Sequence, residues 1–154
     1  MTDPHPLDAR ATSAVARPFH LAIRVHDLAA AEAFYGGLLG ARSGRRSDRW
    51  IDFDLGGHQV TVHLDASMEV PEEAGNDVDG DRVPVPHFGV VLDLDAWRAF
   101  ADALDARGAQ FVLGPRTRFE GLPGEQGTFF LRDPSGNALE FKGFRSAESL
   151  FAPQ

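Results

Sequence analysis

The sequence of 154 residues contains no cysteine. Disulfide bonds, thiolate nucleophiles and cysteine-based zinc or iron–sulfur sites are therefore excluded, and histidine and carboxylate side chains remain as the strong metal ligands. No apolar run is long enough to span a membrane, and residues 1–17 lack the basic-then-apolar pattern of a signal peptide. Dinucleotide-binding, P-loop, zinc-protease and hydrolase-elbow motifs are also missing. We therefore expect a cytoplasmic protein that does not associate with a membrane.

Basic residues are outnumbered, since 15 Lys and Arg stand against 23 Asp and Glu, a formal net charge of −8. A general nucleic-acid-binding protein would normally present a basic face, so this balance argues against one. Much of the excess is local, because residues 66–83 contain six acids and one base. The length and the apolar content of 43% fit one soluble domain with a core of its own.

A hydrophobic pattern occurs twice along the chain. Each half begins with a predicted strand, Phe19–Val25 in the first half and His87–Leu92 in the second. A helix follows in each half, and an aspartate before it and a glycine after it bound the segments Asp27–Gly40 and Asp95–Gly108. Three further strands complete each half, so the sequence predicts an α+β fold of two βαβββ units.

These units define the expected domain organisation. The first unit spans 18–65, the second spans 84–145, and an acidic linker at 66–83 joins them within a single domain of 18–145. Residues 1–17 and 146–154 are expected to be a flexible N-terminal tail and a C-terminal tail. The remaining strands are predicted at Ala41–Arg46, Trp50–Leu55, Gln59–Leu64, Gln110–Phe119, Thr128–Arg132 and Ala138–Phe144.

Strand parity places candidate metal ligands on one face of the predicted sheet. Successive strand residues point to opposite faces, so the bulky residues can pack under the helices. The other face then carries His20, His63, His87 and Glu140, with small neighbours that leave room for a ligand. A single strand histidine is more often structural, but His20 and His87 open equivalent strands. We expect His20, His87 and Glu140 to bind a metal, whereas His63 is either a fourth ligand or a pocket residue.

Imidazole and carboxylate ligands together suit Fe(II), Mn(II), Ni(II) or Zn(II). Two histidines and one carboxylate with open positions form the non-haem iron triad, and the open positions can hold a substrate through two oxygens, or a substrate and O₂. We therefore favour Fe(II) as the cofactor, with Zn, Ni or Mn as alternatives.

Four more residues are candidates for the surroundings of the metal. Glu125 is a candidate for proton transfer, and Arg118, Phe130 and Trp50 are candidates for substrate contact. The alternative interpretation is loop solvation for Glu125 and Arg118, and core or edge packing for Phe130 and Trp50.

Three segments resemble the vicinal oxygen chelate superfamily, which includes glyoxalase I, extradiol dioxygenases and bleomycin-binding proteins. They are FHLAIRV at 19–25, AFYGGLLG at 33–40 and FFLRDPSGNALEF at 129–141. The resemblance covers Pro18 to Phe144 and implies paired βαβββ units with a divalent metal in a concave sheet. It also implies that His20, His87 and Glu140 occupy the His-His-Glu positions of extradiol dioxygenases. His63 stands where glyoxalase I has a glutamate, which argues against the glyoxalase reaction.

The expected function is that of a metal-dependent enzyme, dioxygenase-like, whose small substrate chelates the metal through two oxygens. One alternative is a glyoxalase-type lyase or isomerase in which Glu140 or Glu125 moves the proton. Another is a non-catalytic small-molecule-binding resistance protein. Because members of the superfamily often pair, we expect a homodimer, and the site lies either within one chain or between two.

Overall fold

The structure is a computed structural model that describes residues 17–70, 75–78 and 81–153. The described residues form two compact units. Unit 1 contains residues 17–70 and the turn Arg132–Asn137, and unit 2 contains the rest. The predicted N-terminal tail lies outside the described residues, apart from Arg17. The α+β class is confirmed, because each unit combines a sheet with a helix.

Unit 1 has a four-stranded sheet in the order β1-β4-β3-β2. Its strands are β1 (His20–Val25), β2 (Arg42–Arg46), β3 (Trp50–Leu55) and β4 (His58–Leu64). Strand β1 runs parallel to β4, and the other pairs are antiparallel. Along β1 the exposed positions are His20, Ala22 and Arg24, and the residues between them turn inward. The predicted parity of this strand is therefore confirmed.

The first helix, α1 (Leu28–Glu32), begins after Asp27, whose carboxylate accepts a hydrogen bond of 2.8 Å from the Ala30 amide. This bond satisfies one of the free N–H groups of the first turn. The helix then widens into a π-helical segment (Ala33–Leu38), where the sequence predicted a regular helix. Tyr35 in this segment is fully buried, and its ring stacks on Phe53 with centroids 5.5 Å apart.

A buried carboxylate organises the turn that belongs to unit 1. Asp133 accepts hydrogen bonds from the Tyr35 hydroxyl at 2.8 Å, from the Ser135 amide at 2.9 Å and from Asn137 Nδ2 at 2.8 Å. Burial, together with the charge of Asp133, raises the pKa of Tyr35 well above its ordinary value. Tyr35 therefore keeps its proton and remains a hydrogen-bond donor.

Unit 2 begins with a hairpin that overlaps the end of the predicted linker. Strands β5 (Gly75–Val78) and β6 (Asp81–Pro84) pair antiparallel. The predicted loop at 66–83 therefore differs from the structure over these residues. The difference has a simple reason, because an acidic, glycine-containing segment shows none of the alternation from which a strand is predicted.

The main sheet of unit 2 has the order β7-β11-β10-β9, and β8 also pairs with β11. Its strands are β7 (His87–Phe88), β8 (Val91–Asp93), β9 (Phe111–Arg118), β10 (Gln126–Arg132) and β11 (Ala138–Phe144). The predicted continuous strand at 87–92 is interrupted at Gly89. A Cβ atom at Gly89 would overlap the carbonyl oxygen of Glu140, so only glycine fits this approach of β11.

One face of this sheet is covered by α2 (Leu94–Ala106). Trp97 and Phe100 are buried, and the Trp97 indole donates a hydrogen bond of 2.9 Å to the Phe141 carbonyl. Gly127 and Gly143 lie directly beneath the indole, where a Cβ would come within 2.5 to 2.6 Å of Trp97 atoms. A short helix, α3 (Ala147–Leu150), occurs where a tail was predicted. No helix among the described residues is both long and apolar enough to cross a membrane.

Candidate functional site

Two of the predicted metal ligands meet in unit 2. His87 Nε2 lies 3.0 Å from Glu140 Oε2, and the two side chains are 27% and 12% exposed. Strands β7 and β11 create this contact, because His87 is paired with Ala138 and Glu140 lies two residues further along the same strand. The pair is therefore fixed by the parallel ladder and by the missing side chain at Gly89.

The other ring nitrogen of His87 is also fixed. Its Nδ1 lies 2.6 Å from the carbonyl oxygen of Pro84, so the nitrogen must carry a proton in order to donate a hydrogen bond there. In the neutral ring, Nε2 then presents a lone pair towards Glu140. Two acceptors 3.0 Å apart need either a proton between them or a cation that both can bind.

Glu140 is oriented from its other oxygen. Thr128, which is buried in β10, donates a hydrogen bond of 2.7 Å to Glu140 Oε1. The carboxylate oxygen facing His87 is therefore held in place. Lys142 Nζ lies 3.9 Å from the same Oε2. The Phe130 ring packs edge-on against the His87 ring with centroids 5.1 Å apart, and it is only 1% exposed. In this structure Phe130 supports His87 rather than offering an open substrate wall.

His20 lies in unit 1, at the start of β1, and is exposed. Its Nδ1 is 2.8 Å from Gln59 Oε1, directly across the β1–β4 ladder. The ring is therefore held in the same way as that of His87, with Nδ1 engaged by an oxygen and Nε2 left as an acceptor.

His63 is not brought to His20. Both side chains lie on one face of the unit 1 sheet, but His63 is aligned with Arg24 and with Trp50. It lies four residues beyond Gln59 on β4, about 13 Å along the strand at the usual rise per residue. Trp50 is paired with His63 and therefore lies on the same face of the sheet. The Arg45 guanidinium stacks over the Trp50 ring at 5.8 Å.

Glu125 lies on the helix side of the unit 2 sheet. Residues 125, 127 and 129 share a strand parity, and Gly127 and Phe129 contact Trp97. The Glu125 carboxylate bonds to the Gly121 amide at 2.7 Å and to Arg145 at 2.6 Å. These contacts, first of all the Gly121 hydrogen bond, lower the pKa of Glu125. Glu125 therefore closes a loop and is not brought to Glu140, whose parity is opposite.

Arg118 lies at the end of β9, and its side chain is 14% exposed. Arg118 and Arg116 both contact the Asp81 carboxylate of β6. Arg116 is aligned with Thr128 across the β9–β10 ladder, so these arginines share the sheet face of Glu140. Sequence reasoning missed Arg116, Asp81, Thr128 and Lys142, although the parity of β10 and β11 carries the signal for Thr128 and Lys142.

A shallow groove of about 510 Å³ lies on unit 1. Two ion pairs line it, Arg42 with Asp54 at 2.7 Å and Arg45 with Asp52 at 3.3 Å. Gln59, the partner of His20, is also part of its lining. Because the charges of the groove pair with one another, it offers no separate charged centre.

Within the described parts of the chain, no group of three or more His, Asp or Glu side chains is arranged to hold a metal ion. Of the predicted metal ligands, His87 and Glu140 are in contact with each other. A complete ligand set therefore needs at least one donor in addition to this pair.

The chain is similar to proteins of one superfamily. The sequence profile of the Glyoxalase/Bleomycin resistance protein/Dioxygenase superfamily matches residues 17–141. A solved glyoxalase/bleomycin resistance protein/dioxygenase from Alicyclobacillus acidocaldarius is 33% identical, with a TM-score of 0.73 over 88% of this chain and 97% of that one. No functionally curated protein matches this chain significantly.

More distant structures share the fold alone. The fosfomycin resistance protein FosX from Listeria monocytogenes is 16% identical, with a TM-score of 0.61 over 88% of this chain and 98% of that one. A glyoxalase/dioxygenase from Nostoc punctiforme is also 16% identical, with a TM-score of 0.61 over 84% and 91%. The profile match covers most of the chain, and the Alicyclobacillus protein is similar over nearly its whole length. This chain therefore belongs to the glyoxalase/bleomycin resistance protein/dioxygenase superfamily.

Proposed function

We propose that this protein is a metal-dependent enzyme that acts on a small substrate chelated through two oxygens, with dioxygenase chemistry as the first candidate. His87 and Glu140 are two of the metal ligands, and His20 is the third. Fe(II) is the favoured ion, and Zn, Ni or Mn are the alternatives. The observation that carries the proposal is the geometry of the His87 and Glu140 pair.

The residues present fit a divalent ion in three respects. His87 Nε2 and Glu140 Oε2 lie 3.0 Å apart, so that one divalent ion could be held by both. The hydrogen bond from Nδ1 to Pro84 leaves Nε2 free to act as a ligand. Thr128 holds the second oxygen of Glu140, as the outer partner of a metal-bound carboxylate commonly does.

The proposed role of His20 rests on a hydrogen bond like that of His87. Gln59 engages Nδ1 of His20 as Pro84 engages Nδ1 of His87, so both rings present Nε2. His63 is assigned as a pocket residue, because the β4 register separates it from His20 by four residues.

When bound, Fe(II) supplies Lewis acidity towards two substrate oxygens and the redox chemistry that a dioxygenase reaction needs. The chain contributes orientation and charge. Pro84 and Thr128 fix the two ligands, Phe130 keeps water from one side of the His87 ring, and Lys142 lies within reach of an acidic group beside Glu140.

Two other functions remain as candidates. A glyoxalase-type lyase or isomerase would need a proton-transfer base, and since Arg145 and Gly121 engage Glu125, Glu140 would have to take that role. A non-catalytic small-molecule-binding protein is the other candidate.

Oxygen consumption separates these functions. Protein loaded anaerobically with Fe(II) is mixed with a catechol under air, and with a hemithioacetal as a second substrate. Dioxygenase chemistry predicts uptake of one O₂ per catechol consumed, absent in Glu140→Gln and retained in Glu148→Gln, a control in the exposed helix α3. Turnover of the hemithioacetal without oxygen uptake would instead support the lyase or isomerase. If the protein binds a small molecule without metal and turns over neither substrate, the non-catalytic binding protein is supported.

The homodimer is also a proposal, and a mixing experiment tests whether two copies share the site. His20→Ala and Glu140→Gln variants are each inactive on this account. If one copy provides His20 and the other provides His87 and Glu140, co-expressed variants form one intact site per mixed dimer. Mixing would then restore up to about a quarter of wild-type activity on random pairing, whereas a site within one chain would give no recovery.

A further inference from the structure

A group of basic side chains lies on the same sheet face as Glu140. Arg116 is aligned with Thr128, and the Thr128 hydroxyl bonds to Glu140, so Arg116 lies two strands from Glu140. Arg118 is aligned with Gln126, one pleat further along β9. At the usual spacing between strands, the backbones at Arg116 and Glu140 are about 10 Å apart. The length of a small organic molecule is therefore enough to connect the two positions.

Two carboxylates lie within reach of this group. Arg116 and Arg118 both contact the Asp81 carboxylate, and Lys142 lies 3.9 Å from Glu140. Three basic side chains thus lie on one face of a chain whose formal net charge is −8. Lys142 is also the only lysine in the sequence. The Nε atom of Arg116 is buried and has no hydrogen-bond partner among the described residues.

Guanidinium groups bind carboxylates and phosphonates through paired hydrogen bonds, and two of them around one oxyanion make a specific site. Asp81 already supplies such a carboxylate from within the chain. An oxyanion of the substrate can take its place, because the exchange keeps both guanidinium groups partnered. Solvent also weakens the attraction between an anion and a partly buried arginine less than it weakens the attraction to an exposed one.

We propose that the substrate carries an oxyanion, a carboxylate or a phosphonate, which Arg116 and Arg118 bind in competition with Asp81. The inference rests on the proposed function for the metal end of the substrate, where His87 and Glu140 face its two chelating oxygens. The anion end needs no metal, so it is tested on its own.

The test measures anion binding to metal-free protein by isothermal titration calorimetry, with methylphosphonate, inorganic phosphate and acetate as probes. Arg116→Gln and Arg118→Gln are expected to weaken binding at least tenfold. Asp81→Asn is expected to tighten it about fivefold, because the internal competitor loses its charge. Arg46→Gln, which breaks an ion pair with Glu32 in unit 1, is the control and should change nothing.

The Asp81 variant separates anion binding from a purely structural ion pair. If these arginines only anchor the β5–β6 hairpin, Asp81→Asn lowers stability and leaves anion affinity unchanged or weaker, which would overturn the proposal. If Asp81→Asn fails to fold, Arg116→Lys decides, since it keeps the charge but loses the paired geometry: weaker binding supports the proposal and unchanged binding overturns it. Preference for methylphosphonate or for acetate identifies the oxyanion, and failure of metal binding would leave this result intact.

Discussion

Gly89 sits where the two strands that carry the proposed ligands come together, and its replacement by alanine is a sharp test of the site. The added Cβ would overlap the carbonyl oxygen of Glu140 and lie 2.6 Å from its carbonyl carbon. Both atoms belong to the backbone, so no side-chain rotation relieves the overlap. The strands β7 and β8 must move away from β11, and His87 moves with them.

The expected cost is about 3 kcal/mol, at the top of the range for overpacking in a close-packed interior. For a chain of this length that corresponds to a fall in melting temperature of roughly 6 to 12 °C. Urea unfolding followed by circular dichroism measures the loss in the free energy of unfolding. Gly44→Ala is the matched control, because its Cβ would meet Asp52 Cβ at 3.5 Å and the Asp52 carbonyl oxygen at 3.8 Å, both ordinary contacts, and its stability should stay within about 0.5 kcal/mol. A Gly89→Ala protein as stable as the control would refute the close approach of β11.

Other substitutions test the contacts of Thr128, Tyr35 and Glu125. Thr128→Val is expected to weaken metal affinity by about 10- to 100-fold with little change in fold, because Glu140 loses the hydrogen bond that Thr128 donates. Competition with a chelating dye measures the metal affinity, and Thr117→Val is the control. Tyr35→Phe is expected to cost about 1 to 3 kcal/mol in urea unfolding, because the buried Asp133 loses a donor; an unchanged midpoint would contradict this. Glu125 has a lowered pKa in the folded chain, so its contribution to stability is present above its ordinary value of 4.5 and is lost as pH falls through the lowered pKa. The melting temperature of the wild type should therefore fall more steeply than that of Glu125→Gln between about pH 6 and pH 3.

Much of the fold could be predicted from the sequence, because its strands alternate clearly. The bounds of Ala138–Phe144 and Trp50–Leu55 and the Asp27 cap agree with the structure. The β5–β6 hairpin was missed because its acidic, glycine-containing sequence lacks the alternation from which a strand is predicted. The break at Gly89 was missed because a close approach of two strands leaves no periodic signal.

The candidate site was predictable in part for the same reason. Parity places His87 and Glu140 on one face, and the structure brings them together. Continuing the alternation of β10 back to Glu125 places this residue on the opposite face, with Phe129. Because Glu125 precedes the predicted strand, its face was not assigned from the sequence. The separation of His20 from His63 depends on which residue of β4 faces His20, and register across a parallel pair is not readable from either strand alone.

Metal content shows whether His87 and Glu140 bind an ion. Metal-free protein is dialysed anaerobically against Fe(II), Mn(II), Ni(II) and Zn(II) in turn, and bound metal is measured by plasma mass spectrometry. We expect about one ion per chain for the wild type and for His58→Ala, and less than a tenth of that for His87→Ala and Glu140→Gln. If the wild type binds none of these ions, or if both variants bind as much as the wild type, His87 and Glu140 are not metal ligands.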